Sequence, residues 1–351
     1  MKNTLLAFVR AHGLLIAVIS GLVWLLSLRV YYQLKPWLPL ALRLMMRRRW
    51  ARRQRARHSG DWPILESAGN PPAWFKGWPQ NRRFPFVLTH DVELQKGLDR
   101  VKQLAEAEMA LGFRSSFNFI PEGPYQVTAD LRKWLEENGF EVGVHDLRHD
   151  GMLYKSRAHF VESAARINHF LREWNACGFR SGFMFHNLEW LEDLNLKYDA
   201  STFDTDPFEP QSDNAKTIFP FWHAGKNHRG YVELPYTLVQ DSTLFVMLEE
   251  KSNAIWKQKL QWIASRHGMA LSNSHPDYIT FDGQKPQMGE YPVHHYTEFL
   301  SWVKQNYEGE YWNALPREVA EFCREQSLHP QPDLPAAKAA MKAEALSSQP
   351  A

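Results

Sequence analysis

Two carboxylates, Asp91 and Glu93, stand two residues apart at the end of the apolar run Phe84-Pro85-Phe86-Val87-Leu88-Thr89. In an extended chain, residues i and i+2 share a side, so both acids can address one centre. A solvated acidic turn after a strand would read the same way, and the pair alone does not separate the two. Further on, His145 and His149 lie four apart, again directly after an apolar run. Histidines at that spacing reach one metal if the segment makes a helical turn. Two His and one carboxylate form the usual ligand set of an open catalytic zinc, with room left for water and substrate. Arg180 follows Gly178-Phe179, and His275 follows Leu271-Ser272-Asn273-Ser274. Each feature is ordinary alone. Four strand ends that offer acids, two histidines, an arginine and a histidine are not an ordinary set.

The elements that must position these groups can be read from periodicity and punctuation. Phe84–Thr89, Ser115–Ile120, Phe140–Val144, Phe179–Phe185, Tyr231–Tyr236 and Met269–Ser274 read as strands. Leu94–Leu111, Ala129–Asn138, Ala158–Cys177, Leu188–Leu196, His294–Gln305 and Arg317–Gln326 read as helices, several stopped by glycine. Strands alternating with helices predict a parallel α/β arrangement. Polar residues gathered after the strands match the C-terminal face of a (β/α) barrel.

The ordered set resembles the polysaccharide deacetylase family, carbohydrate esterase family 4. Thr89-His90-Asp91-Val92-Glu93 is similar to that family's first motif in its x-D-V-D/E form. His145 and His149 match its H-x-x-x-H motif, and Arg180 partly matches its R-x-P-x-G segment. Lys197-Tyr198-Asp199-Ala200-Ser201 resembles the Y-D-x-S that commonly follows, and Leu271 to Pro276 matches the last motif. The likeness runs from about Phe84 to Asp277. It departs in three places. Val92 replaces the usual second Asp, the proline after Arg180 is missing, and no fourth motif can be placed. The acid that tunes the final histidine is therefore unassigned. Glu233-Leu234-Pro235 resembles an E-x-P strand of some relatives and receives no catalytic role.

The resemblance implies an α/β fold, a distorted (β/α) barrel of the polysaccharide deacetylase type. It implies a divalent metal, Zn2+ foremost, on Glu93, His145 and His149. Asp91 would be the base, Arg180 its orienting partner, and His275 the acid that protonates the leaving nitrogen. The implied reaction removes an N-acyl group, N-acetyl foremost, from an amino sugar in a glycan or lipid-linked precursor. O-deacylation would use the same groups. A non-catalytic carbohydrate-binding relative, a membrane-tethered scaffold of glycan assembly and a hydrolase of non-sugar amides are the rival readings.

Charge divides the 351 residues unevenly. Residues 1–60 hold 12 Lys and Arg and no acid. The remainder then has 41 less 12, or 29, basic residues against 39 acids, a balance of −10. A basic start on an acidic body argues against a nucleic-acid enzyme. Ala11–Leu28, extended by Val30 to Tyr32, is just long enough to span a bilayer, and no small-x-small cleavage site follows it. Residues 1–33 thus read as an uncleaved transmembrane helix. Residues 34–60 read as an interfacial and polybasic segment, with seven arginines between Arg47 and Arg57 suited to anionic lipid. The basic flank after the span predicts an inner-membrane protein with its catalytic body in the cytoplasm. Residues 61–83 read as a loosely packed linker, 84–328 as the catalytic domain, and 329–351 as a disordered tail. Two cysteines, Cys177 and Cys323, build no disulfide framework.

Overall fold

A computed structural model describes residues 39–210, 215–225 and 230–328. The chain divides into two compact units, Met1–Trp50 and Ala51–Ala351. Helix α1 (Leu40–Arg57) runs across the boundary. The expected transmembrane helix and the tail lie outside the described residues. Among the described residues, no helix is long and apolar enough to cross a membrane.

In the second unit, β1 (Phe84–Val92) is buried along all nine residues. Its aromatic and β-branched side chains suit a strand covered on both faces. Helix α2 (Gln95–Leu111) follows, burying Val101, Leu104, Ala105 and Glu108 at helical spacing and ending at Gly112 with φ 81°. Then come β2 (Ser116–Phe119), α3 (Ala129–Glu137), β3 (Glu141–His145), α4 (Arg157–Glu173), β4 (Gly178–Arg180), α5 (Leu188–Leu191) and β5 (Tyr198–Asp199). The edge pair β6 (Phe221–His223) and β7 (Tyr231–Glu233) is antiparallel. The chain continues through α6 (Ala254–Arg266), β8 (Ala270–Ser274), β9 (Ile279–Thr280), β10 (Tyr291–Pro292), α7 (His294–Tyr307), β11 (Tyr311–Asn313) and α8 (Pro316–Leu328).

Strand β1 is the centre of this arrangement. It pairs in parallel with β2, β8 and β11. The path runs on through β3, β4, β5 and β7 to β6. After β7, the backbone N–H groups of Thr237 and Leu238 both donate to the Leu271 carbonyl of β8, each at 3.0 Å. The sheet therefore curls back toward β1, as a distorted barrel does. Parallel pairing puts the C-terminal ends of β1, β3, β4 and β8 on one rim.

Several expectations need correction. The helix expected over Ala158–Cys177 stops at Glu173, because Asn175 turns left-handed at φ 50°. Gly178 opens β4 rather than capping the helix. The strand expected to Phe185 stops at Arg180, since Phe183 and Met184 adopt φ of 55° and 53° in a tight turn. Leu188–Leu196 holds one helical turn only, started by Asn187. Residues 61–83 are not a loose linker. Trp62 and Trp78 are buried, the Trp78 indole donates to the His267 carbonyl at 2.7 Å, and Ile218 N–H donates to the Ala68 carbonyl at 3.0 Å. Apolar tryptophan faces in a Pro- and Gly-rich stretch drive it onto the body despite its lack of periodicity.

Candidate active site

Asp91, next to last in β1, is 1% exposed. Side chains from three other strands converge on it. Asn118 Nδ2 of β2 and Asn273 Nδ2 of β8 each donate at 2.9 Å. Arg180 Nη1 of β4 reaches both carboxylate oxygens at 3.3 and 3.4 Å, and also donates to Thr89 Oγ1 at 2.9 Å. Burial pushes the Asp91 carboxyl up. Arg180, then His145 and His275, and the Asn118 bond outweigh burial and hold it well below the usual carboxylate range.

Glu93, His145 and His149 present ligand atoms that all lie within 4.8 Å of one another. His149 Nε2 stands 3.3 Å from Glu93 Oε1. The Nδ1–H of His145 donates to the Arg180 carbonyl at 3.1 Å, which leaves Nε2 as the lone-pair nitrogen. That Nε2 is buried and has no hydrogen-bond partner among the described residues. A buried, unsatisfied imidazole nitrogen aimed beside a histidine and a carboxylate fits a divalent metal. The expected helical turn between the histidines is absent. Residues 147–151 form bends, with Asp146 and His149 at φ of 57° and 55°. This left-handed backbone folds His149 back over His145, their ring centroids 4.9 Å apart. Convergence is reached by strain at two residues rather than by helical spacing.

Tertiary contacts hold the Glu93 segment. The Glu93 and Leu94 N–H groups both donate to the Asp277 carboxylate at 2.9 Å, and Tyr278 Oη donates to Glu93 Oε2 at 3.1 Å. Burial acts to raise the Glu93 carboxyl, but His149, His275 and His145 hold it below its ordinary value.

The missing proline after Arg180 has a steric reason. A Cβ on Gly182 would lie 2.4 Å from Asp146 Oδ2 and 2.8 Å from His149 Cδ2. The histidine loop thus packs directly on the glycine Cα, and any side chain there must displace it. Gly182→Ala is expected to lower metal affinity about 10–100-fold, measured by competition with a chelator.

The acid paired with His275 is Asp241, which the sequence reading did not find. Asp241 Oδ1 accepts His275 Nδ1–H at 2.7 Å, and Oδ2 accepts His275 N–H and Tyr291 Oη, both at 2.9 Å. Burial alone would lower the His275 pKa. Asp241, with Glu93 and Asp91, pushes it up to about 10. Asp241 follows the apolar run Leu238-Val239 with one residue between, so the pattern of an acid after such a run was there. Asn118 and Asn273 had a similar signal, as polar residues inside buried strands. A groove of about 950 Å³ elsewhere, lined by Arg157, Asn168, Trp222 and Tyr231 among others, includes none of these groups.

Comparison with solved structures gives one match at the level of the fold. A Mycobacterium smegmatis protein described as a candidate polysaccharide deacetylase superposes with a TM-score of 0.54 at 17% identity, over 73% of this chain and 96% of its own. The chain has the polysaccharide deacetylase fold. A Bacillus subtilis peptidoglycan deacetylase, solved as a point mutant, gives a TM-score of 0.42 at 10% identity, over 72% and 96%. A Bordetella bronchiseptica candidate polysaccharide deacetylase described as involved in O-antigen biosynthesis gives 0.40 at 17%, over 70% and 86%. No family model and no curated protein matches the chain. Within the polysaccharide deacetylase fold, Asp91, Glu93, His145, His149, Arg180 and His275 all sit on the rim formed by the strand ends.

Proposed function

We propose that the chain is a metal-dependent hydrolase that removes an N-acyl group, N-acetyl foremost, from an amino sugar. One observation carries this reading. A charge-paired buried carboxylate, Asp91, stands beside a two-histidine, one-glutamate cluster in which the buried His145 Nε2 has no partner among the described residues. Glu93, His145 and His149 would hold the ion. A divalent metal held there, Zn2+ foremost, would supply Lewis acidity toward a water and an acyl carbonyl.

Amide hydrolysis needs a base, an acid and an ordered pair of reacting groups. Asp91 takes the proton of the attacking water. The charges that keep it ionised also make it a weak base. Arg180 fixes the carboxylate's orientation through its contacts with both oxygens. His275, cationic through Asp241, gives its proton to the departing nitrogen. Loss of this acid limits activity at high pH, because His275 must carry its proton to act. A dication nearby opposes that protonation, so the limb in the loaded enzyme lies below the value of about 10. Asp241→Asn removes the main upward pull. The basic limb of kcat/KM is expected to move down by about 1–3 pH units.

The proposal extends to a membrane-bound substrate, either a glycan or a lipid-linked precursor at the inner leaflet. Its support is the basic and apolar N-terminal sequence, together with exposed Met45, Met46, Trp50, Arg47, Arg49 and Arg53 on α1. The test uses the full-length protein in detergent, purified without chelators. It measures bound metal, then acetate release from N-acetylated oligosaccharides and lipid-linked N-acetyl sugars. About one metal per chain with metal-dependent acetate release supports the reading. Sugar binding without release by the metal-loaded protein would replace it with a carbohydrate-binding function.

A further inference from the structure

Asp199 and Glu233 are register partners across β5 and β7, and both are fully buried. Residues 201 and 202 are among their donors, and His186 stands near enough to Asp199 to favour its charged form. Asp199 accepts from Ser201 N–H at 3.0 Å and Ser201 Oγ at 2.8 Å. Glu233 Oε1 accepts from Ser201 N–H, Thr202 N–H and Thr202 Oγ1 at 3.2, 3.0 and 2.8 Å. Glu233 Oε2 is buried with no hydrogen-bond partner among the described residues, and the two carboxyls are drawn together on one donor, the Ser201 N–H. Two carboxylates cannot bond each other unless one carries a proton, and two adjacent buried charges are strongly disfavoured.

The turn that this pair grips holds Arg180 in turn. The Ala200 carbonyl accepts Arg180 Nε–H at 2.8 Å, and Ser201 Oγ accepts Ser181 N–H at 2.9 Å. Arg180 then reaches Asp91 with its side chain and His145 with its carbonyl. We propose that Asp199 and Glu233 share one proton and act as one positioning unit, which through residues 200–202 sets Arg180 against both Asp91 and His145. This deepens the hydrolase reading and rests on it only for its kinetic consequence. Burial, first, and then Asp199 push the Glu233 carboxyl well above its ordinary value, in keeping with a bound proton.

Glu233→Gln and Glu233→Ala separate the possibilities in the full-length protein. The Gln amide can donate to Asp199 and its carbonyl can accept from Thr202, so it mimics the protonated acid. The infrared difference between parent and Glu233→Gln at neutral pH is expected to show a protonated-carboxyl band that shifts in D2O. Zinc affinity is expected to stay within about threefold in Glu233→Gln and to fall about 10–100-fold in Glu233→Ala. In the active enzyme, kcat should follow the same order with KM unchanged, a loss of about 10²-fold for Glu233→Ala. Absence of the band overturns the shared proton. Equal zinc affinity in both folded variants, or equal damage, overturns the positioning role. Should Glu233→Ala fail to fold, the band and the zinc affinity of Glu233→Gln still decide. Band and zinc affinity need no substrate, so a failed hydrolase reading is distinguishable from a failure here.

Discussion

Asp91→Asn is expected to lower kcat by about 10²–10⁴-fold while metal stoichiometry stays at the parent value. The substitution is nearly isosteric, and the new amide keeps an oxygen to accept from Asn118 or Asn273. It cannot take a proton from water. Metal retention follows from the ligand geometry, because Asp91 is not among the three residues whose ligand atoms converge. Arg180 would lose its ionic partner in a buried site, at a cost of about 3–5 kcal/mol. Its bonds to Thr89 Oγ1 and the Ala200 carbonyl remain, so the guanidinium keeps its place. Single-turnover kinetics, metal analysis and thermal unfolding on the same preparation test all three statements. Near-parental turnover would remove Asp91 from the base role.

The double variant His145→Ala, His149→Ala is expected to bind no stoichiometric metal and to lose metal-dependent hydrolysis. Glu93 is then the one member of the cluster left, and it retains the Tyr278 bond that draws it aside. Stability is a second readout. A ligand that binds only the folded state stabilises it by about 2.7 kcal/mol at a hundredfold excess over Kd. Added zinc should therefore raise the melting temperature of the parent and leave the double variant unmoved. Equal zinc stabilisation of both proteins would place the metal elsewhere.

Much of the candidate site was legible because parallel α/β folds collect polar groups at strand ends. An apolar run followed at once by an acid or a histidine exposes that logic in one dimension, as at Asp91 and His145. Arg180 was legible only through its likeness to a motif, since a lone arginine after a short strand carries little signal. Asp241 was not assigned. It lies 34 residues before His275, stands outside the strands, and gains its role from the curl that brings the segment after β7 against β8. Asn118 and Asn273 were hidden for a related reason. Their register against β1, Asn118 opposite Asp91 and Asn273 opposite Thr89, exists only once the sheet is paired.

By itself, the sequence determined which groups could do chemistry, their order along the chain and the alternation of strands and helices, because these depend on residue type and short-range periodicity. Tertiary structure decided the rest. Left-handed backbone at Asp146 and His149, accommodated by the bare Cα of Gly182, brings the two imidazoles together without a helical turn. Side chains from neighbouring strands, the Arg180 guanidinium foremost, keep Asp91 charged in a place where burial alone would neutralise it. Two buried acids that share the Ser201 N–H as a donor were brought together by the pairing of β5 with β7. Each outcome is a sum of through-space interactions between segments far apart in the chain, and no local pattern encodes their distance.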